Sequence, residues 1–508
     1  MADLDFLAGH AESMPQKTAV ALGDRSLSFA ELNQRANRVA AAFRDLGVSA
    51  EDRVAVMSFN SIETFELASG MRRAGVVIVP VNYRLRGSEI AYVVNDSDAK
   101  AFVVGSEHVE AVEAAIPELG ARPAVIAART TAPHGWLEYE ELLGAASDEP
   151  APVAAGGGIG PSMIYTSGTT GHPKGAWRPN GVNLENVLQI ISIFGLSQSD
   201  VHLTCGPGYH SAVSFFTALH SLLGATVVLQ PKFEAAGALD LMARHRVTTT
   251  FMAPILLQRL VDEQERNPRD LSTLRALLLG AAPCPQALKV RASAVLGQVL
   301  WEFYGATETG INTVLAPEDQ LRKPASCGTA VPGQEIRLVG EDGSEVPNGE
   351  PGELMVRNTW LAEYYKRPDA TGRSLHDGFF SVGDIAYRDD EGYYFICDRS
   401  IDMIISGGVN VYPAEVEAAL AGHPAVQDAA VIGVPDDAWG ESVKAIVQLR
   451  DGATATEAEL IDFCGSRLAG FKKPRSVDFV DELPRDAAGK LLKRKLRDRY
   501  WAGAGRNI

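Results

Sequence analysis

Cysteine is scarce in this sequence. The 508 residues include five cysteines, and no two of them form a CxxC pair. Because the number is odd and the spacings are long, the set is not typical of a disulfide framework or a zinc site, and it fits a reducing compartment. The five are Cys205, Cys284, Cys327, Cys397 and Cys464.

Positive charge and long apolar segments are also lacking. Lysine and arginine number 47 against 64 acidic residues, so the formal net charge is -17. Because phosphate backbones and anionic membranes are bound by clustered cations, we expect no nucleic acid partner. No apolar run reaches the roughly 18 residues of a membrane span, and residues 1–10 lack the basic and apolar parts of a signal peptide. We therefore expect a cytoplasmic protein without a transmembrane segment.

Helix and strand patterns alternate along most of the chain. Residues 27–47 have apolar side chains at helical spacing, with Ser28 as a candidate N-cap and Gly47 as the stop. Short β-branched runs such as DRVAVMSF and GVVIVPVN read as strands, and their alternation with helices predicts an α/β fold with largely parallel sheets. After residue 320, short strands between Gly, Pro and acidic turns predict a β-rich subdomain. A new α/β pattern begins near residue 400.

The segment YTSGTTGHPKG, residues 165–175, is too rich in glycine and hydroxyl side chains to lie inside a helix or strand. Glycines let backbone N–H groups converge on an anion, hydroxyls add donors, and Lys174 adds charge. The segment therefore predicts a phosphate-binding loop, with a linker or ordinary turn as the alternative. It is neither a Walker A loop, because Gly175 rather than Ser or Thr follows Lys174, nor a GxGxxG fingerprint.

This loop resembles the phosphate loop of the adenylate-forming superfamily, which includes acyl-CoA synthetases, aryl-CoA ligases, luciferases and peptide-synthetase adenylation domains. Further motifs of that family follow in the family's order and span most of the chain. They are YGATETG at 304–310, SVGDIAY at 381–387, DRSIDMIISGG at 398–408 and PRDAAGKLLKRKL at 484–496.

The resemblance implies a fold and a reaction. The fold is α/β, with a large N-terminal domain of two α/β subdomains plus a β-rich subdomain, followed by a small mobile α+β C-terminal domain. The predicted domains are 1–399, which binds AMP and the acid, and 400–508, which carries the catalytic lysine and the pantetheine-tunnel face. A carboxylate and ATP give an acyl adenylate and pyrophosphate, and a thiol then displaces AMP. The implied substrates and cofactors are ATP, Mg²⁺, coenzyme A and a carboxylic acid.

The family's nucleotide-binding residues carry over position by position. Thr307 would bond the α-phosphate, Glu308 would hold Mg²⁺, Tyr304 would lie against adenine, and Asp384 and Arg399 would bond the ribose. Taken singly, Tyr304 could be a core aromatic, and Asp384 or Arg399 a surface charge. The residues expected around the β- and γ-phosphates are Thr166, Ser167, Gly168, Thr169, Thr170, Gly171 and Lys174, and those expected in the wall between adenine and acyl group are Gly280, Ala281 and Ala282.

Lys490 resembles the catalytic lysine of the first half-reaction. Its ammonium would stabilise the charge that develops as the carboxylate meets the α-phosphate, although the basic run around it could be a solvated helix face. For the second half-reaction the C-terminal domain would rotate. At the hinge, Ile401 stands where the family usually has Asp or Lys, and its β-branch is expected to shift the preference between the two states. The pivot could instead move to Ser400 or Asp402.

Coenzyme A contacts are expected from cations and from glycine. Arg84 and Lys473, with Arg475 nearby, match contact positions of aryl-CoA ligase relatives, although scattered surface charge would look the same. Trp439 would pack beside pantetheine. Gly407 and Gly408 would let the thiol arm pass close to the backbone.

The acid is expected beside residues 206–219. His210, a fourth catalytic candidate, matches the histidine at the family's pocket mouth, where amino-acid-activating relatives place Asp. The apolar residues that follow favour a medium- or long-chain fatty acid. The alternatives are an aryl-CoA ligase, a stand-alone enzyme that loads a carrier protein, and a regulator without turnover. No carrier domain is expected after the last motif, which favours free coenzyme A, and a homodimer is left open.

Overall fold

The computed structural model describes residues 5–120, 123–150, 158–166, 173–399, 402–406, 409–436, 439–485, 489 and 491–501. By contacts between Cα atoms the chain divides into two units. The first unit comprises residues 1–279, 306–310 and 359–373, and the second comprises residues 280–305, 311–358 and 374–508. The predicted boundary at 399/400 is a different division and stays a prediction.

The first unit begins with an α/β layer whose sheet is parallel throughout, in the order β4-β3-β5-β6-β7. Helix α2 follows the expected signals, because Ser28 and Glu31 form a capping box and Gly47 has a φ of +81°. The elements are α1 (Phe6–Ser13), β1 (Thr18–Leu22), β2 (Arg25–Ser28), α2 (Phe29–Asp45), β3 (Arg53–Met57), α3 (Ile62–Arg73), β4 (Val77–Pro80), α4 (Gly87–Asp96), β5 (Ala99–Gly105), α5 (Val109–Glu113), β6 (Ala124–Ala128), β7 (Leu137–Glu138) and α6 (Tyr139–Ala145).

A second sheet of the first unit follows the order β15-β14-β12-β13-β1-β2 and is parallel except for the β1–β2 pair. Its strands β14 and β15 are buried along their whole length, as strands covered on both faces are. The elements are β8 (Gly158–Ile159), β9 (Ser162–Thr166), β10 (Lys174–Arg178), β11 (Val182–Asn183), α7 (Leu184–Phe194), β12 (Val201–Thr204), α8 (Ser211–Leu223), β13 (Thr226–Leu229), α9 (Ala235–His245), β14 (Thr249–Met252), α10 (Pro254–Arg266) and β15 (Ala276–Leu279).

Antiparallel pairing prevails in the next part of the chain, as the change of sequence texture after residue 320 predicts. Strands β19, β20, β23 and β24 pair antiparallel around a core that includes Leu354 and Tyr394. The elements are α11 (Gln286–Leu296), β16 (Leu300–Ala306), β17 (Gly310–Leu315), β18 (Thr329–Ala330), β19 (Glu335–Val339), β20 (Gly352–Arg357), β21 (Glu363–Tyr364), α12 (Pro368–Ser374), β22 (Leu375–His376), β23 (Phe379–Arg388) and β24 (Tyr394–Arg399).

The C-terminal part has its own core. A sheet ordered β26-β25-β28-β27, with β29 parallel to β28, packs helices against buried residues such as Val431 and Leu460. The mixed α/β fold class is thereby confirmed. Among the helices that the structure describes, none combines the length and apolar composition needed to cross a membrane. The elements are β25 (Ile404–Ser406), β26 (Val409–Val411), α13 (Pro413–Ala421), β27 (Val426–Asp436), β28 (Gly440–Leu449), α14 (Glu457–Gly465), β29 (Ser476–Phe479) and α15 (Lys493–Trp501).

Candidate active site

The predicted phosphate loop joins the two antiparallel strands of a hairpin. Strand β9 ends at Thr166 and β10 begins at Lys174, and these two residues are paired in register. This pairing fixes the residues at both ends of the loop. The loop residues Ser167, Gly168, Thr169, Thr170 and Gly171 lie outside the described residues.

Glu308 lies at this hairpin, and its carboxylate is buried. Its Oε1 atom accepts hydrogen bonds from the Thr166 hydroxyl at 3.2 Å and from the Tyr364 hydroxyl at 3.0 Å. The ammonium of Lys174 lies over the Tyr364 ring, 4.9 Å from its centroid. The strand end at the predicted phosphate loop, a lysine and a carboxylate are thus brought together from segments far apart in sequence. Tyr364 was not among the predicted residues.

The donor set around Glu308 fits Mg²⁺. A carboxylate oxygen is a hard ligand, and Mg²⁺ in nucleotide sites is commonly held by one or two carboxylates plus phosphate oxygens and water. Within the described part of the chain, no group of three or more His, Cys, Asp or Glu side chains could hold a metal ion. Glu308 therefore suits a Mg²⁺ site in which nucleotide phosphates supply the other ligands.

Thr307 connects the nucleotide motif to the start of helix α8. Its hydroxyl donates to the Ser211 hydroxyl at 3.1 Å. Its carbonyl oxygen accepts a hydrogen bond from the Arg178 guanidinium, which also donates to the Trp360 carbonyl at 2.7 Å. Burial lowers the pKa of Arg178 to about 10, with the Glu308 charge acting in the opposite direction. Arg178 therefore stays charged at neutral pH and holds the Thr307 backbone in place.

Tyr304 and Asp384, both in the second unit, meet directly. The Tyr304 hydroxyl donates to Asp384 Oδ2 at 2.6 Å, and Asp384 is buried. Strands β23 and β24 place Asp384 opposite Arg399 in register, although the Arg399 side chain is not described. Tyr304, predicted to lie against adenine, and Asp384, predicted to bind the ribose, are therefore in direct contact.

The predicted adenine wall has an unusual backbone. Ala281 has a φ of +74°, a left-handed conformation that costs a non-glycine residue on the order of 1–3 kcal/mol. A Cβ at Gly280 would lie 2.9 Å from the Phe303 ring, so this position requires glycine. Ala282, next along the chain, is partly exposed. Strain of this kind is typical of functional loops.

A buried ion pair supports the segment that follows this wall. Glu302 pairs with Lys289, whose side chain is 1% exposed, and accepts from the Cys284 backbone N–H. Burial raises the pKa of the Glu302 carboxyl, and Lys289 acts against that rise. The pair therefore ties helix α11 and the loop before it to strand β16, which carries Tyr304.

Helix α8 begins directly after His210, which is its N-cap residue. The His210 carbonyl accepts from the Ser214 hydroxyl at 3.2 Å. The Phe215 ring lies 6.1 Å from the Trp360 ring, whereas Phe216 is fully buried and stacks on Phe251. The two neighbouring phenylalanines therefore have different roles. Phe216 belongs to the core, whereas Phe215 is only partly buried.

Two buried histidines attach α8 to the sheet. His220 Nδ1 donates to the Phe216 carbonyl at 2.7 Å, so its Nε2 accepts from the Thr249 hydroxyl at 2.9 Å. The Thr249 oxygen in turn accepts from His202 Nδ1 at 3.0 Å. Each of these three hydrogen bonds thus has one donor and one acceptor while both imidazole rings are neutral. Burial lowers the pKa of His202 well below its usual range and that of His220 to about 4.

The predicted coenzyme A residues lie in both units. In the first unit, the backbone N–H of Arg84 donates to Asn82 Oδ1 at 3.0 Å. In the second unit, Trp439 is 45% exposed, and the Arg475 guanidinium lies 4.1 Å from the centroid of its ring. Lys473 is partly exposed. Gly407 and Gly408 lie outside the described residues.

Lys490 lies outside the described residues, as do Ser400 and Ile401 of the expected hinge, but the neighbours of Lys490 are well anchored. Arg485 forms an ion pair with Asp428 at 2.5 Å and donates to the Gly489 carbonyl. Arg485 and Leu491 also form an antiparallel bridge. Arg485 was not predicted, since its role depends on a partner in strand β27.

Comparison with known proteins gives consistent matches along the chain. The model of the AMP-binding enzyme family matches residues 7–366, and that of the AMP-binding enzyme C-terminal domain matches residues 415–490. Feruloyl-CoA synthase of Amycolatopsis sp is 38% identical over 496 residues, which are 96% of this chain and 97% of that protein.

Further matches come from a fatty acid ligase and a solved structure. Long-chain-fatty-acid–CoA ligase FadD13 of Mycobacterium tuberculosis is 36% identical over 484 residues, 94% of each chain. The crystal structure of ATP-bound MatB from Rhodopseudomonas palustris has a TM-score of 0.88 and 31% identity, and the match covers 99% of each chain.

Proposed function

This chain belongs to the AMP-binding enzyme family, and from that membership we propose that it couples an apolar carboxylic acid to coenzyme A in two half-reactions driven by ATP. Its class is that of the AMP-forming acid–thiol ligases, which use ATP, Mg²⁺ and coenzyme A. The proposed acid is a medium- or long-chain fatty acid.

In the first half-reaction a carboxylate oxygen attacks the α-phosphorus of ATP. The bond from that phosphorus to the bridging oxygen breaks, and pyrophosphate leaves. Lys174 and the Thr166 end of the loop bind the outer phosphates, and the Thr307 hydroxyl donates to the α-phosphate. Mg²⁺, with Glu308 as its ligand, would neutralise phosphate charge. Such catalysis consists mainly of positioning and electrostatic stabilisation.

Lys490 completes the first half-reaction in this proposal. Its ammonium offsets the negative charge shared by the incoming carboxylate and the α-phosphate. Gly489 and Leu491 on either side are held to Arg485, which limits the positions from which the lysine can act. The nucleoside rests against Tyr304, with its ribose on Asp384 and Arg399.

In the second half-reaction the thiol sulfur of coenzyme A attacks the acyl carbon. The bond from that carbon to the phosphate oxygen breaks, AMP leaves with the electron pair, and the thiol proton passes to solvent. Arg84 and Lys473 supply local positive charge for the phosphates of coenzyme A, which a chain of net charge -17 needs. Trp439 packs beside the pantetheine arm.

The proposal of an apolar acid rests on the sequence and position of helix α8. Its 13 residues, SAVSFFTALHSLL, include no Asp, Glu, Lys or Arg, and its only histidine, His220, is fully buried. A charged group on the acid would therefore find no ionic partner along this helix, and an unpaired buried charge is costly. An alkyl chain instead gains about 0.8 kcal/mol for each methylene that it buries.

An aryl acid is the second candidate, and one contact favours it. Phe215 lies one turn along α8 from Ser211 and forms an aromatic pair with Trp360, and a flat ring could pack against such a pair. The 38% identity to a feruloyl-CoA synthase points in the same direction.

The test is pyrophosphate release across a panel of acids, with and without coenzyme A, followed by detection of the thioester by mass spectrometry. The panel contains decanoate, palmitate, ferulate, benzoate and phenylalanine. We expect acid-dependent pyrophosphate and thioester, highest with the fatty acids and absent with phenylalanine. Pyrophosphate without a thioester would indicate a carrier protein as acceptor. No acid-dependent pyrophosphate would indicate a regulator.

A further inference from the structure

The two described ends of the phosphate loop are bonded to the same helix. The Tyr165 hydroxyl, one residue before Thr166, donates to Asp96 Oδ2 at 2.8 Å. At the other end, the Pro173 carbonyl accepts from the Tyr92 hydroxyl at 3.1 Å. Tyr92 and Asp96 are four residues apart in α4, so they share one face of that helix.

Arg367 joins these two attachments. Its guanidinium forms an ion pair with Asp96 Oδ1 at 2.7 Å and donates to the Tyr92 hydroxyl at 3.4 Å. The Asp96 side chain is 11% exposed, which shields the ion pair from solvent on one side. Arg367 follows Tyr364, the residue that bonds Glu308, by three positions in the same segment.

The Tyr165 ring is held in place on the hairpin itself. Tyr165 stands opposite Gly175 in register, and a Cβ at Gly175 would come within 3.2 Å of the ring. Glycine therefore leaves room for the ring to cross the hairpin and reach Asp96. Burial, and after it the Asp96 carboxylate, raises the pKa of the Tyr165 hydroxyl, which stays protonated and can donate.

We propose that Tyr92, Asp96, Tyr165 and Arg367 are positioning residues that hold both ends of the phosphate loop and thereby lower the cost of binding ATP. None of the four needs to touch ATP. A loop that binds phosphates through backbone N–H groups loses conformational freedom on binding, and fixing its ends in advance removes part of that cost. The inference rests on the proposed use of ATP by this loop.

Tyrosine-to-phenylalanine variants test the proposal, because each removes one hydroxyl and leaves the ring. Tyr92→Phe and Tyr165→Phe each release one loop end. Tyr365→Phe is the matched control, since its hydroxyl donates to Asp98 at 2.8 Å in the same neighbourhood without bonding either end. Asp96→Asn, which removes the ion pair with Arg367, has Asp98→Asn as its control.

The measurements are the Kd of MgATP alone by calorimetry and the KM values for ATP, acid and coenzyme A. We expect Tyr92→Phe and Tyr165→Phe to weaken ATP binding about fivefold each, as the loss of a partly buried hydrogen bond does. Tyr365→Phe should stay within about twofold of wild type. The KM values for acid and coenzyme A should not change in any variant.

Three results would overturn the proposal. The first is ATP binding in Tyr92→Phe and Tyr165→Phe that equals that of Tyr365→Phe. The second is a parallel loss in all three KM values and in Tm, which would indicate a packing role only. The third is a wild type that does not bind MgATP, which would overturn the proposed function as well. A wild type that binds MgATP but makes no thioester would contradict the proposed function alone, and the Kd comparison would still decide the role of the four residues.

Discussion

The hairpin β9–β10 and helix α8 belong to the same unit but are held by different kinds of interaction. The hairpin is attached through tyrosine hydroxyls, a carboxylate and cations, as the Tyr165–Asp96 and Lys174–Tyr364 contacts show. Helix α8 is attached through buried rings, among them Phe216 on Phe251 and His220 beside His202. Thr307 links the two regions, because its carbonyl accepts from Arg178 of β10 and its hydroxyl donates to Ser211 of α8.

This difference separates two tasks. Polar groups at fixed positions suit phosphates, whose charge and geometry are the same in every turnover. A packed apolar surface suits the acid, because its shape decides which chain or ring can be buried. Substitutions in the hairpin and its polar contacts, the ATP side, should therefore lower activity with every acid alike. Substitutions in α8, the acid side, should instead alter the preference among acids.

The largest expected effect is that of Lys490→Ala. Losing a charge aimed at the transition state typically costs about 10²–10³-fold in kcat, and we expect that loss in adenylation with each acid alike. Thioester formation from a supplied acyl adenylate should remain at the wild-type rate. Pyrophosphate release and single-turnover thiolysis measure the two steps separately. If both fell equally, Lys490 would not have this role.

Glu308→Gln comes next. Because the amide is a weaker ligand for Mg²⁺, we expect adenylation to fall about 10–100-fold, again with no change in the preference among acids. Raising the Mg²⁺ concentration should recover part of the activity. A variant that is insensitive to Mg²⁺, or that loses activity with one acid only, would count against the assignment.

On the α8 side, Phe215→Ala should alter selectivity. Removing the ring beside Trp360 enlarges the space on that face of α8, and we expect the ratio of kcat/KM between bulky and slim acids to rise about tenfold. Phe216→Ala is the comparison, since that ring is buried in the core. It should lower the stability by about 3–5 kcal/mol and leave the ratio unchanged. If Phe215→Ala and Phe216→Ala had the same kcat/KM ratio between bulky and slim acids, the proposed difference between the two residues would be wrong.

The smallest effect concerns pH. Both His202 and His220 have lowered pKa values in the fold, so their contribution to stability is complete above the unfolded pKa near 6.5 and is lost as the pH falls below it. Each histidine should cost about 1.4 kcal/mol per pH unit in that range. Hydrogen exchange of residues 211–223, corrected for intrinsic rates, should show this loss of protection. His202→Leu/His220→Leu should show a flatter pH dependence, and an unchanged slope would contradict the account.

The phosphate loop is built of glycine, hydroxyl side chains and lysine, which are the residue types that phosphate binding requires, and these predict its role. The roles of the other residues expected around ATP come from the resemblance to the family's motifs, and they stay predictions. The structure brings Tyr304 to Asp384 and Thr166 to Glu308, as five motifs in a fixed order indicate. The resemblance to adenylate-forming enzymes and the α/β fold class are confirmed by the family matches.

The supporting contacts could not be predicted because they join segments far apart in the chain. Arg178, for example, is buried and donates to the carbonyls of Thr307 and Trp360. The Arg367–Asp96 pair spans 271 residues. The presence of alanine at position 281 also gives no indication that the backbone there is left-handed. The split between Phe215 and Phe216 likewise depends on packing that periodicity does not resolve.

A competition between two acids tests the separation of tasks most directly. Wild type, Tyr165→Phe and Phe215→Ala are each given equal amounts of decanoate and ferulate with limiting ATP and excess coenzyme A, and the two thioesters are measured by mass spectrometry. We predict that Tyr165→Phe makes both products more slowly in the wild-type ratio, whereas Phe215→Ala changes the ratio of the two products. A changed ratio in Tyr165→Phe together with an unchanged ratio in Phe215→Ala, or no thioester from either acid, would contradict the account.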